Sequence, residues 1–269
     1  AAANYVGVGV SGFEQASTTG GAGTIDFRSL ANNTTFVSTE GGGTFSKAPS
    51  GIADSYMPAT GSITLTRATD GAADALNLHI TSATAATVTA SLADEETVTV
   101  ASAGTGVVTH NLNLTVSDAT KLSVIGSNAL NIASLVGETK LATIDASGNT
   151  GTAFTVNANG STAAMTVTGG AGTQSALGAT VNTITTGSGA DTVTGGDFAD
   201  SLTTNTGHDS VTGGGGNDTI TTAGGNDTAV GGDGDDTITT GTGSDSISGG
   251  AGNDLINAGS GSDTVDAGA

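Results

Sequence analysis

Apolar and polar positions alternate in short runs along much of the chain. Leu76, Leu78 and Ile80 form one run, and Leu112, Leu114 and Val116 another. Leu122 with Val124, Leu130 with Ile132, Leu141 with Ile144, Phe154 with Val156 and Met165 with Val167 follow. A period of about two places such residues on one face of a strand. From Leu112 on, the runs start every eight to thirteen residues and are separated by Gly, Ser, Asn and Asp. Short strands at this spacing predict an all-β architecture. Only isolated windows such as Ser127 to Val136 suit a helix, so little helix is expected.

Toward the carboxy-terminal end the alternation becomes a strict repeat. Asp recurs every nine residues at Asp191, Asp200, Asp209, Asp218, Asp227, Asp236, Asp245, Asp254 and Asp263. The clearest units are GGGGNDTIT (213–221), GGDGDDTIT (231–239) and GGAGNDLIN (249–257). Position 4 is Gly in eight of nine units, and position 8 is Val, Leu or Ile in eight of nine, with Ala229 the exception. The last three positions make a minimal strand with one inward aliphatic. The first six make a tight turn in which Gly allows positive φ and close backbone approach. Position 1 alternates Thr and Gly from Thr186 to Gly249, so the true period is 18 and two edges differ. A GG edge carries Asp200, Asp218, Asp236 and Asp254. A T edge carries Asp191, Asp209, Asp227, Asp245 and Asp263, with Ala258 for Thr in its last turn. A sandwich and a solenoid both fit the strands of the preceding region. The solenoid gains because they run into a segment that must itself be a parallel roll, and because aromatics are 3% of the chain. The division expected is 1–75 irregular strand and turn, 76–186 β-helical solenoid, and 187–269 roll.

Charge sharpens this picture. The chain has 269 residues, five basic against 25 acidic, and a net charge of −20. All five bases precede residue 141. Residues 187–269 hold 13 Asp and no Glu, Lys or Arg, which leaves −7 (12 acids, five bases) for residues 1–186. So acidic a Gly-rich segment should not collapse in plain water unless cations neutralise it. The same charge argues against a nucleic-acid partner. Zero Cys removes disulfides, thiolate metal sites and cysteine catalysis. No apolar run is long enough to span a membrane. The start at AAANYVGVGV and the stop at DAGA suggest a piece of a longer protein.

The pattern G-G-x-G-x-D-x-U-x resembles the calcium-binding nonapeptide repeat of RTX proteins. That resemblance implies a right-handed parallel β-roll with two nonapeptides per turn. It also implies Ca2+ between turns 18 residues apart, held by both Asp and by main-chain carbonyls. The ligands expected are the nine Asp together with Gly213, Gly215, Gly231, Asp233, Gly249 and Ala251. Three sites fall on the GG edge and four on the T edge, so seven ions would bring +14 against −13. Phe198 at position 4, Asn205 and Ala223 at position 2, and Ala229 at position 8 depart from the pattern. They weaken the expected sites between Asp200 and Asp218 and around Asp209 and Asp227. Segments 111–137 and 141–170, and in style 12–43, are similar to the Thr/Ala-rich repeats of RTX-type surface-layer (S-layer) proteins of the Caulobacter type. That likeness implies type I secretion, a place on the cell surface, self-assembly into a lattice, and anchoring on lipopolysaccharide through a region outside this chain.

Other motifs carry less. Gly7, Gly9 and Gly12 spell G-x-G-x-x-G, but FEQASTTGGAG is a poor helix to follow a dinucleotide turn. His79, His110 and His208 form no H-E-x-x-H, and there is no G-x-S-x-G. Asp94, Glu95 and Glu96, Asp70 with Asp74, and Asp118 read as solvated loops before they read as further cation sites. Thr206 and Thr242 do not extend into the regular array that an ice-binding face needs. The expectation is a non-enzymatic structural protein of a secreted surface layer. Its alternatives are the RTX stalk of a large adhesin and the secretion tail of an exported hydrolase.

Overall fold

The computed structural model describes residues 75–80, 84–92, 96–103, 108–136, 140–170 and 181–269, and the backbone of strands between 16 and 67. Every pairing between its strands is parallel, and successive strands alternate between two long sheets, with Thr242–Gly243 and Ser260–Gly261 forming a short third one. Among the described residues there is no α-helix, and none has a helix long and apolar enough to cross a membrane. The fold is all-β, as the alternation predicts, and a parallel solenoid, as the run of these strands into the repeat predicts. The chain forms two compact units, Ala1–Lys140 and Leu141–Ala269.

In the first unit, Ala75–Ile80 pairs with Thr97–Ser102, which pairs with Lys121–Gly126. Thr87–Leu92 and Ala129–Val136 flank Thr109–Thr115 in the other sheet. Leu76 sits beside Val98 and Val98 beside Leu122, so each rung stacks its aliphatics on the last. These side chains, with Leu78, Ile80, Leu112, Leu114, Leu130 and Ile132, are at most 1% exposed. The window Ser127 to Val136 is not helical. Its residues 129–136 form a strand because Leu130 and Ile132 stack on His110 and Leu112 of the rung before. Strands from Ala16–Thr18 to Gly61–Arg67 follow the same two-sheet parallel pattern.

In the second unit the steps are longer at first, as from Val167 to Val193, and then settle to a fixed 18 residues. Val193 pairs with Val211, Val211 with Ala229 and Ala229 with Ile247 in one sheet. Leu202, Ile220, Ile238 and Ile256 pair in sequence in the other. Position 8 is thus a continuous aliphatic column on each side, fully buried until the last turns, where Val265 is 48% exposed. Each buried aliphatic contributes roughly 1.5–3 kcal/mol. Positions 7 and 9 face outward as Thr and Ser, which suit a solvated pleated surface.

Candidate metal centre

Every repeat Asp folds back into the roll. Its Oδ1 accepts the backbone N–H of the Asp one turn earlier: Asp209 from Asp191, Asp218 from Asp200, Asp227 from Asp209, Asp236 from Asp218, Asp245 from Asp227, Asp254 from Asp236 and Asp263 from Asp245. Those seven bonds are 2.7–3.0 Å long and all span 18 residues. Met165 and Asn182 donate the corresponding N–H to Asp191 and Asp200 at the start of each ladder. The donated N–H thus fixes each carboxylate in one orientation, which explains why the nine-residue interval tolerates no slip.

The other oxygen is the informative one. Oδ2 of Asp191, Asp200, Asp209, Asp218, Asp227, Asp236, Asp245 and Asp254 is buried and has no hydrogen-bond partner. A buried acceptor left unmatched costs about 1–3 kcal/mol, more when it is charged. One or two orphans are ordinary in a protein; two columns of four, one on each edge, are a request for cations.

The surroundings fit that request. A Cβ built on Gly195 would meet Asp200 Oδ2 and the Gly213 carbonyl of the next turn. The same convergence recurs at Gly213 with Asp218 Oδ2 and the Gly231 carbonyl, and at Gly231 with Asp236 Oδ2 and the Gly249 carbonyl. A fourth, at Gly249, brings Asp254 Oδ2 to the Ala267 carbonyl. Gly is required at position 1 of this edge to keep open a cradle of oxygens, not to supply unusual backbone angles. Among the described residues no three acidic or His side chains gather into a metal cluster. An ion here must complete its shell with backbone carbonyls, as calcium readily does with six to eight oxygens.

The expected ligands are therefore not all alike in the structure. Gly213, Gly231 and Gly249 present carbonyls beside Oδ2 atoms. Gly215, Asp233 and Ala251 stack on one another in strands, and the Asp233 and Ala251 carbonyls accept the N–H of Gly216 and Gly234. The Asp233 carboxylate faces solvent.

On the T edge the structure changes the physical account. Thr186, Thr204, Thr222 and Thr240 point inward and are at most 1% exposed. The first three have buried hydroxyls with no hydrogen-bond partner, which adds oxygens on the side of the roll where Asp191, Asp209 and Asp227 lie. Position 2 of this edge is not uniformly left-handed: Gly259 has a φ of 74° whereas Gly241 lies outside that region. Asn205 acts differently: its Nδ2 donates to the Thr186 carbonyl at 2.6 Å and takes up one potential ligand.

Burial also moves the carboxyl equilibria. Desolvation, opposed by the Asn182 N–H and side chain, raises Asp200 from 3.8 to about 6. Desolvation raises Asp218 to about 7, with Asp200 and Asp236 adding repulsion and the Asp200 N–H opposing. Desolvation likewise raises Asp236, with Asp254 and Asp235 repelling it and the Asp218 N–H opposing. Asp209 is raised by desolvation, against the Asp191 N–H and the nearby Thr204 hydroxyl, which is not in hydrogen-bonding geometry. Without cations the ladder resists carrying its charge.

Two features escape a reading of the repeat. Position 5, variable in sequence, forms outer ladders of its own. The N–H of Asn226 bonds His208 Nδ1 and that of Ser244 bonds Asn226 Oδ1; Asp235 and Asn253 do the same with Asn217 and Asp235. His208 is exposed, as expected, but it serves as a rung. His110 is buried inside the first unit and hydrogen-bonded to Ser102 at 3.0 Å, a structural contact within a closed core. Asp118 forms an ion pair with Lys140. Gly7, Gly9, Gly12, Asp70, Asp74, Asp94 and Glu95 lie outside the described residues.

The GG edge should hold calcium more firmly than the T edge around Asp209. Asp236 lies mid-series between open cradles, whereas the turn of Asp209 carries Asn205, whose amide occupies the Thr186 carbonyl of the turn before. Asp236→Ala is expected to remove more calcium affinity than Asp209→Ala in calorimetric titrations. Equal losses, or a larger one for Asp209→Ala, would show that the cradle geometry does not rank the sites.

Comparison with protein families gives a match to the RTX calcium-binding nonapeptide repeat (4 copies) at residues 178–197, 194–229 and 230–265. Comparison with curated proteins and with solved structures finds no match. The 18-residue ladder of Asp and Gly turns thus consists of RTX nonapeptide repeats, a known calcium-binding motif typical of proteins exported by type I secretion.

Proposed function

We propose that this chain is the β-solenoid portion of a secreted bacterial surface-layer protein that assembles into a two-dimensional lattice when calcium is present. The observation that carries the reading is the outer surface of the roll. Thr192, Ser210, Thr228, Ser246 and Thr264 stack as one exposed column along a sheet. Regular polar columns with unpaired side chains suit repetitive lateral contact between copies. The Thr- and Ala-rich style of residues 111–170 supports the same reading. In it the protein has no enzymatic role, lies on the cell surface, and is anchored on lipopolysaccharide by a region outside this chain. Calcium sets the shape of the roll and so controls assembly.

Electron microscopy of the parent protein tests this. Ordered arrays are expected at millimolar calcium and dispersed monomers after chelation. Monodisperse monomers in calcium would overturn it, and sparse fibrils on the cell surface would instead mark an adhesin stalk.

A further inference from the structure

The GG edge has a turn before Asp200 that the repeat pattern does not show. Thr183, Ile184 and Thr185 pair with Ser201, Leu202 and Thr203, which puts Asn182 in the Asp position of an earlier repeat. Gly169 and Gly170 take the two Gly positions of that turn; the sequence there reads GGAG (169–172), then nine residues, then NTIT (182–185). Asn182 is 1% exposed.

Its carboxamide lies where the later turns place a carboxylate. A Cβ on Gly169 would meet the Gly195 carbonyl and Asn182 Nδ2. At Gly195 the equivalent neighbours are the Gly213 carbonyl and Asp200 Oδ2, and the series continues through Gly213, Gly231 and Gly249. Nδ2 of Asn182 therefore takes the place of the orphaned oxygen. Where each Oδ2 has no partner, this nitrogen donates to the carbonyls of Gly170 and Gly195 at 3.3 and 3.4 Å, and Oδ1 accepts the Gly170 N–H at 3.1 Å. The orientation of the amide follows from that network: reversing it would set an acceptor against two carbonyls and a donor against an N–H.

We propose that Asn182 is a stop residue that ends the calcium series of this edge. Its two N–H bonds satisfy the carbonyls that a cation would otherwise bridge, and its neutral side chain removes the charge that would hold one. Asn182 thereby satisfies the carbonyls of Gly170 and Gly195 without metal. This inference rests on calcium occupying the later turns.

The test counts calcium bound to the full chain and two variants by titration calorimetry and elemental analysis. Asn182→Asp is expected to bind one ion more than the unaltered chain. Asp200→Asn moves the carboxamide one turn onward and is expected to bind one ion fewer. An unchanged count in both variants overturns the proposal. So does an unchanged count with tighter binding in Asn182→Asp, because the Asn oxygen would then already be a ligand. If Asn182→Asp does not fold, Asp200→Asn decides alone: a full calcium count overturns the proposal and a loss of one ion upholds it. An unaltered chain that binds no calcium contradicts the calcium assignment itself, a separate outcome.

Discussion

Chelating calcium at neutral pH is expected to unfold the roll while leaving the calcium-loaded form stable. The cause is local and repeats at each turn. A turn buries one aliphatic at position 8, worth roughly 1.5–3 kcal/mol, and one carboxylate oxygen without a partner, which costs about 1–3 kcal/mol. The two nearly cancel, and repulsion among 13 Asp with no compensating base is then unopposed. A divalent ion in each cradle reverses the balance, because it satisfies Oδ2 and neutralises charge together. Hydrogen exchange on the full chain should show backbone amides of residues 187–269 protected in calcium and exchanging as an unstructured chain without it. A roll that stays protected in chelator would refute this. Export follows from the same physics: at submicromolar calcium the segment stays unfolded, and it folds only where calcium is abundant.

Acid should rescue the metal-free roll. A carboxyl whose folded pKa lies above its unfolded value binds its proton more tightly when folded. Asp200 and Asp218 rise from 3.8 to about 6 and about 7, chiefly through desolvation, and Asp209 and Asp236 rise for the same reason. Their stabilisation is complete below the unfolded value near 3.8 and is lost as the pH climbs through 6 and 7. In chelator, β-structure measured by circular dichroism should therefore be greatest in acid and fall between about pH 4 and 7. In calcium the dependence inverts, since protons compete with the ion for the carboxylates, and affinity should weaken toward acid. A metal-free roll that gains structure as the pH rises would contradict the account.

The sequence made the ladder legible because its chemistry is strict. An Asp at a fixed interval accepts the N–H of the previous turn and keeps a second oxygen free, and an aliphatic two residues later fills the column, so both appear as regular spacing. Position 1 was harder to place. Thr at 186, 204, 222 and 240 resembles the outward Thr of positions 7 and 9, and composition cannot tell a buried hydroxyl from a solvated one. The weakening expected from Asn205 and Ala223 treats position 2 as the same glycine position on both edges. Its φ is positive at Gly214, Gly232 and Gly250 on the GG edge, while on the other edge it is positive at Gly259 and not at Gly241. Asn182 was hidden because residues 173–181 separate it from its own GGAG, which breaks the nine-residue count. The strand at residues 129–136 was open to a helical reading because a short run rich in Ala, Leu and Ile suits either period. Stacking on the rung before decides it.

The most direct test of the central claim is the number of calcium ions bound per chain at neutral pH, measured by equilibrium dialysis with elemental analysis. The Asp-to-Asp steps of the ladder number seven. The account predicts a count close to one ion per step, lost together on chelation. A count of zero or one would mean that the buried oxygens of the ladder do not hold calcium.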